Sequence, residues 1–277
     1  MKDLKNKTAL VTGAASGIGR ALAINLAREG AHIILLDVNE AGLAEVQGII
    51  EGMNVKALVG CIDVSNAEEV KALCEKALND MGKVDILVNV AGIGIASDIS
   101  DLELEDWNRI LGVNLFGPIH TINYLLNHMI ERGSGHIVNV ASGCGLVALP
   151  TLGGYNTSKF GLVGLTETLR AEVARFGIGA TVICPGAVKT NIFNAAKYKN
   201  YDISGMRSLV DSVVDRFGWT PERVARAIIK SIRKNRPILA LSPMTWMGYY
   251  IKRLWPSFIY LSQRWMSGYM SRYKKSD

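Results

Sequence analysis

Residues 7–38 read KTALVTGAASGIGRALAINLAREGAHIILLDV, and the fold follows from how this stretch alternates. An apolar run at 7–13 is stopped by glycine, a helical pattern runs from Ile18 to Glu29, and a second apolar run follows at 31–38. Neither run alternates with polar residues, which is the pattern of strands buried on both faces, as in a parallel sheet. Outward from this unit the alternation continues. VKALVGCIDV (55–64), KVDILVNVAG (83–92), GHIVNVAS (135–142) and GATVICPG (179–186) read as further strands. Helical stretches lie between them at about 65–81, 104–131 and 153–176. Thr220-Pro221 is an N-cap followed by proline at the first helical position, so it opens another helix. RPILAL (236–241) then supplies a short seventh strand.

Strands followed in turn by helix-length segments predict an α/β fold, a doubly wound parallel sheet of the Rossmann type. Right-handed crossovers place the strand C-termini along one edge. No linker rich in proline or serine interrupts residues 1–241, so they are expected to form a single domain, with 242–277 as a helical tail.

The chain has 277 residues, about half of them apolar, and carries a net charge of +6. That charge is uneven, because residues 238–277 hold six Lys/Arg and one acid while the rest is nearly neutral. Nucleic acid is therefore not the expected partner. The four cysteines (Cys61, Cys74, Cys144 and Cys184) form no CxxC pair and read as free thiols of a reducing cytoplasm. The four histidines make no HxxxH or HExxH pattern, and no metal site is expected. Lys2, Lys5 and Lys7 precede an apolar run too short for a signal peptide, so no targeting segment is expected.

The turn TGAASGIG (12–19) spaces Gly13, Gly17 and Gly19 as GxxxGxG between a strand and a helix. Amide N–H groups at a helix N-terminus bind anions, and glycine lets a pyrophosphate approach the backbone. Ser16 and Ile18 belong to the same predicted cradle. Asp37 ends the second strand, where an acid accepts hydrogen bonds from adenosine ribose hydroxyls and repels a 2′-phosphate. No Arg or Lys stands at Ser16 or Val38 to attract that phosphate, so NAD is expected over NADP. Farther along, Tyr155 and Lys159 stand four apart in GGYNTSKFG (153–161). On a helix they share a face, and a nearby cation favours a phenolate.

TGAASGIG, IDV at 62–64, NVAG at 89–92, Asn114, Ser142, the Tyr155/Lys159 pair and PGAVKT at 185–190 together resemble the classical short-chain dehydrogenases/reductases over about residues 5–236. The resemblance implies a catalytic tetrad of Asn114, Ser142, Tyr155 and Lys159. Tyr155 would exchange the proton of an alcohol or carbonyl oxygen, and Ser142 would hydrogen-bond that oxygen. Lys159 would hold the nicotinamide ribose, with Asn114 supporting a proton relay to solvent. It also implies an adenine pocket at Asp63 and Val64, adenosine ribose contacts at Asn89, Ala91 and Gly92, and a carboxamide strip at Pro185, Gly186, Val188 and Thr190. One position departs from the family, which usually has a second Asn where this chain has Val90. Family members are commonly dimers or tetramers, and a homo-oligomer is expected on that ground alone. Cys144, two residues after Ser142, reads as a small residue of the pocket wall.

Between Thr190 and Thr220 the chain resembles the family's substrate lid, with Ile192, Phe193, Tyr198, Tyr201, Met206 and Leu209 as apolar contributors. Leu146, Val147 and Leu149 face them from the other side. No arginine cluster marks an anionic substrate, which favours a hydrophobic secondary alcohol or ketone. The alternative is an NAD-binding sensor or membrane scaffold without turnover.

The tail holds nine of the twenty aromatic residues. Ser242-Pro243 starts a helix, with Trp246, Tyr250 and Leu254 on one face. Pro256 breaks it, and Phe258, Leu261, Trp265 and Tyr269 form a second stripe. Lys252, Arg253 and Arg264 rule out a membrane span. Packing on the body or a second subunit and peripheral binding to a membrane surface both remain open.

Overall fold

The computed structural model describes residues 1–190, 192 and 195–274; in the helix at Ile203–Phe217 it describes the backbone alone at 203, 205–207, 209, 210 and 213. Among these residues nine strands and ten α-helices alternate. In the first half they are β1 (Thr8–Thr12), α1 (Gly17–Arg28), β2 (His32–Asp37), α2 (Glu40–Glu51), β3 (Ala57–Cys61), α3 (Ala67–Met81), β4 (Ile86–Asn89) and β5 (Ile95–Ala96). Next come α4 (Leu104–Leu111), α5 (Gly117–Glu131), β6 (Gly135–Val140), α6 (Gly153–Val173), β7 (Ile178–Cys184) and β8 (Lys197–Tyr198). The last are α7 (Ile203–Phe217), α8 (Pro221–Lys234), β9 (Ile238–Ala240), α9 (Pro243–Leu254) and α10 (Pro256–Met270).

Seven strands form one parallel sheet in the order β3-β2-β1-β4-β6-β7-β9. Period-two alternation sorts the side chains of β1 between its faces. Ala9 and Val11 join the core under α1, α2 and α8 (Leu22, Val46, Ile228), and Leu10 joins the one under α3, α5 and α6 (Leu73, Leu125, Leu169). Both layers exclude water from the sheet, which is why its strands are apolar without a break. The expected seventh strand is present, pairing Val182 with Ile238. Thr220 caps α8 through Arg223 N–H as its position predicts.

The chain reverses its direction of winding between β1 and β4. In sheets of this kind a crevice opens there, outside the strand C-termini. α4 and α5 form the single long helix expected at 104–131, but five residues, Gly112–Phe116, take π geometry at its middle. Helix α2, the short pair β5–β8 and helix α7 have no counterpart in the sequence reading. Gly42 and Gly48 dilute the helical signal of α2, although Leu43, Val46 and Ile50 do line up on its buried face.

Candidate active site

The crevice is built from turns that lock onto one another. Thr12 Oγ1, at the end of β1, accepts hydrogen bonds from Val90 N–H (2.9 Å) and Ala91 N–H (3.0 Å) beyond β4. These bonds use backbone donors, so Val90 in place of asparagine leaves them intact. Gly13 has φ +66°, and a Cβ there would stand 2.9 Å from the Ala91 nitrogen. A Cβ on Gly19 would collide with the Gly13 carbonyl. Both positions therefore require glycine, and the turn is a shallow cradle of backbone.

Helix α1 opens into that cradle. Its N-cap Ser16 makes no side-chain cap bond, and its first turn, with Ile18, contains no acid. Among the described residues the first-turn N–H groups thus have no side-chain partner at the positive end of the helix dipole, which suits a pyrophosphate. Across the cradle, Thr190 Cγ2 lies 3.2 Å from where a Gly17 Cβ would be. A cleft of about 440 Å³ opens there, lined among others by Gly17, Arg20, Lys189 and Thr190. Asp37 stands at the end of β2 with Oδ2 accepting from Ala15 N–H (3.0 Å) and Oδ1 from Asn39 N–H (3.1 Å). It braces the cradle as well as offering a carboxylate to it.

Other sequence-predicted cofactor residues take varied positions. Val64 is buried, with its carbonyl 3.0 Å from His120 Nδ1, while Asp63 is exposed and accepts from Ser65 N–H. Asn89 is turned inward, donating to Asn139 and accepting from Thr121, and Asn139 donates to Thr166. This buried chain ties β4, β6, α5 and α6 together below the crevice. Gly92 lies at the centre: a Cβ there would be 3.3 Å from Asn114 Oδ1 and 3.5 Å from Lys159 Nζ. Pro185 accepts from Gly143 N–H (2.7 Å), and Gly186 faces the hydroxyls of Ser242 and Thr245 at the start of α9. Val188 is buried and bridges to Trp219.

The four residues of the expected tetrad meet where β4 and β6 end. Asn114 sits in the π turn, an irregularity that often marks functional positions. It is wholly buried and clamps Ile93, accepting from its N–H (2.8 Å) and donating to its carbonyl (3.0 Å). Asn114 also donates to Ser158 Oγ (3.2 Å), which donates to the Tyr155 carbonyl (2.7 Å). Lys159, one turn along α6 from Tyr155, donates to the Val140 carbonyl (3.1 Å) and lies 5.6 Å from the centre of the Tyr155 ring. Ser142 ends the β6 segment, and its Oγ accepts from Cys144 N–H (3.1 Å). It also stands beside the Tyr155 hydroxyl.

Burial raises the Tyr155 phenol above its ordinary range, with Cys144 adding to the rise and the Ser142 hydroxyl opposing it. Burial also lowers the Lys159 ammonium to about 8, against the influence of Cys184 and Cys144. The expectation that Lys159 brings the Tyr155 pKa down is thus not met by the protein's own groups, because desolvation of the phenolate dominates. Burial raises the Cys144 thiol too, which fits a wall residue and not a nucleophile.

Residues 7–200 match the family profile described as short chain dehydrogenase. The chain belongs to the short chain dehydrogenase family. Among curated members, EphD of Mycobacterium tuberculosis, named as a probable oxidoreductase, is 38% identical over 252 residues, 89% of this chain and 43% of that protein. The chain thus spans less than half the length of that relative. A protein named as the putative oxidoreductase SadH, also of M. tuberculosis, is 34% identical over 239 residues, 85% of this chain and 86% of the other. Of solved family structures, a short chain dehydrogenase from Burkholderia phymatum in complex with NAD superposes with a TM-score of 0.85 at 31% identity, covering 95% of this chain and 97% of that one. A 3-ketoacyl-(acyl-carrier-protein) reductase from Brucella melitensis complexed with NADH gives 0.77 at 32% identity, covering 86% and 98%.

Two positioning residues of this short chain dehydrogenase escaped the sequence reading. Ser158 couples Asn114 to α6, and Asn156 pins the substrate loop by donating to the Leu149 carbonyl (2.7 Å) and accepting from Leu149 N–H (3.3 Å). Both stand inside the YNTSK segment, where helix propensity alone disfavours Asn and Ser. In the segment expected to form a lid, Ile192 and Ala196 lie against Gly94. Tyr201, expected to face substrate, is buried, with its hydroxyl on Asp98 (2.8 Å). Phe193 and the side chains of Met206 and Leu209 lie outside the described residues.

Proposed function

We propose that the chain is an NAD-dependent oxidoreductase that moves a hydride between the nicotinamide and a hydrophobic secondary alcohol or ketone. The observation that carries this reading is the convergence of Asn114, Ser142, Tyr155 and Lys159 beside Gly92, outside the ends of β4 and β6. The glycine cradle and the first turn of α1 fit a dinucleotide pyrophosphate, and Asp37 at the end of β2 favours ribose hydroxyls over a 2′-phosphate.

When bound, the nicotinamide supplies the hydride acceptor or donor and, when oxidised, a positive charge. The protein's share is the proton. In ketone reduction, Tyr155, kept as a neutral phenol by burial, donates its proton to the carbonyl oxygen while Ser142 Oγ–H holds that oxygen. In alcohol oxidation the same phenolic oxygen takes the hydroxyl proton, which requires the phenolate. Lys159, backed by Val140 and next to Asn114, is the cation placed to favour it and to pass the proton onward. The wall facing this group is apolar, with Leu146 and Val147 joining the cluster of Leu162 and Trp246.

The test follows NADH fluorescence with a series of secondary alcohols graded from short to sterol-sized, with NADP⁺ compared at each. Turnover that rises with substrate hydrophobicity, prefers NAD⁺ and drops about 10²–10⁴-fold in Tyr155→Phe, with NAD⁺ binding retained, is the expected result. NAD⁺ binding with no turnover across the series would sink the proposal.

A further inference from the structure

The tail helices have two unlike faces. Inward, Trp246 and Tyr249 join the core cluster of Leu146 and Leu162. Lys252 donates to the Leu146 carbonyl (3.0 Å) and lies 4.3 Å from the centre of the Phe160 ring. In α10, Ile259 is buried, and Gln263, one turn on, donates to the Ala148 carbonyl (2.6 Å). The body is therefore already contacted by these residues. Of the two stripes read from sequence, Trp246 turns inward, whereas Leu254, Phe258, Leu261 and Trp265 point outward. Leu254, Trp255, Phe258, Leu261 and Trp265 are 47–83% exposed. Nine of the fifteen large exposed apolar residues among those described lie between Met244 and Trp265, a concentration that isolated surface residues do not produce.

The polar residues on this outer side are of one sign. From Pro243 to Lys274 there is no Asp or Glu. Lys252 and Lys274 are engaged with the body, whereas Arg253, Arg264 and Arg272 are exposed. A groove of about 540 Å³ runs along α10, with Leu261, Trp265 and Tyr269 between Arg264 and Arg272, and Gly268 leaving it open. A second copy meeting this face symmetrically would set the same arginines against one another, because an isologous contact repeats each patch. A bilayer bearing phosphates supplies the missing negative charge and an apolar layer beneath it. Crossing is excluded for the described residues, none of whose helices is long and apolar enough.

We propose that the outer face of α9 and α10 docks on an anionic phospholipid surface. Leu254, Trp255, Phe258, Leu261 and Trp265 enter the boundary between headgroups and acyl chains, and Arg253, Arg264 and Arg272 meet lipid phosphates. The docking does not depend on which substrate the crevice turns over.

Flotation of the full chain with vesicles of phosphatidylcholine, with and without phosphatidylserine, tests this. Binding is expected to be at least about tenfold tighter with phosphatidylserine and to weaken as salt is raised. Arg264→Gln/Arg272→Gln should weaken it by about tenfold or more, and Leu261→Ser/Trp265→Ser should abolish it. Circular dichroism and NAD⁺ binding check that both variants fold. Equal binding to the two vesicle types, no binding to either, or binding unchanged in both variants would overturn the proposal. So would a dimer that Leu261→Ser/Trp265→Ser converts to monomer without any vesicle binding by the parent chain.

Discussion

At Tyr155 and Lys159, burial opposes ionisation of both groups, in opposite directions on the pH scale. A phenol pushed up is a proton donor over the whole neutral range, which suits reduction. A lysine lowered from 10.5 to about 8 is charged at neutral pH only against a desolvation cost. The sign of its effect on stability follows by linkage. The unfolded chain binds more protons than the native one between the two values, so this residue destabilises the fold fully below pH 8, and the penalty fades as pH rises toward 10.5. Lys159→Met is expected to lose turnover yet melt a few degrees higher than the parent at pH 6, with the gap closing by pH 10. Calorimetry across that range checks it, and a lower melting temperature at pH 6 would refute it. The convergence of Asn114, Ser142, Tyr155 and Lys159 was legible in the sequence because their spacing is fixed by α6 and by strand ends. The balance of burial over charge was not, since it depends on what the fold stacks around each group.

Among the elements, the segment around β8, expected as a substrate lid, shows how a loop is held. Lys197 and Lys199, in and just after β8, each place an ammonium 2.9 Å from Asp106, a buried carboxylate in α4. Hydrogen bonds from these lysines outweigh burial and hold the Asp106 carboxyl well below the usual carboxylate range. The strap therefore contributes stability above the ordinary carboxylate pKa and loses it only as pH falls through the lowered value. Asp106→Asn is expected to raise the KM for substrate several-fold while NAD⁺ affinity stays near that of the parent. Steady-state kinetics beside a cofactor titration reads this, and equal losses of both would argue against a lid role. The main strands were visible in the sequence because both faces are covered, leaving unbroken apolar runs. The two-residue strands β5 and β8 were invisible, since so short a pairing leaves no periodicity.

For the molecule as a whole, seven parallel strands gather the candidate site along one edge of the sheet, and the tail closes over the side where Ser142 and its loop stand. The loop's carbonyls at Leu146 and Ala148 are satisfied by Lys252 and Gln263, residues more than a hundred positions away in the chain. Farther on, Lys274 pairs with Asp98 and Asp101, and the Tyr273 carbonyl accepts from Asp202 N–H just before α7. The tail's helices and their break at Pro256 could be read from sequence, but which side faced out could not, since both sides carry aromatics. From these contacts residues 143–152 and 243–270 are predicted to open as one cooperative unit. Amide exchange by mass spectrometry should show the two segments deprotecting together, and removal of the tail should speed exchange in the loop bearing Cys144 while leaving β1 and β4 slow. Segments distant in the chain would then share one breathing rate, and the local stability of the loop bearing Ser142 and Cys144 would be set by helices that contribute none of the candidate site's four residues.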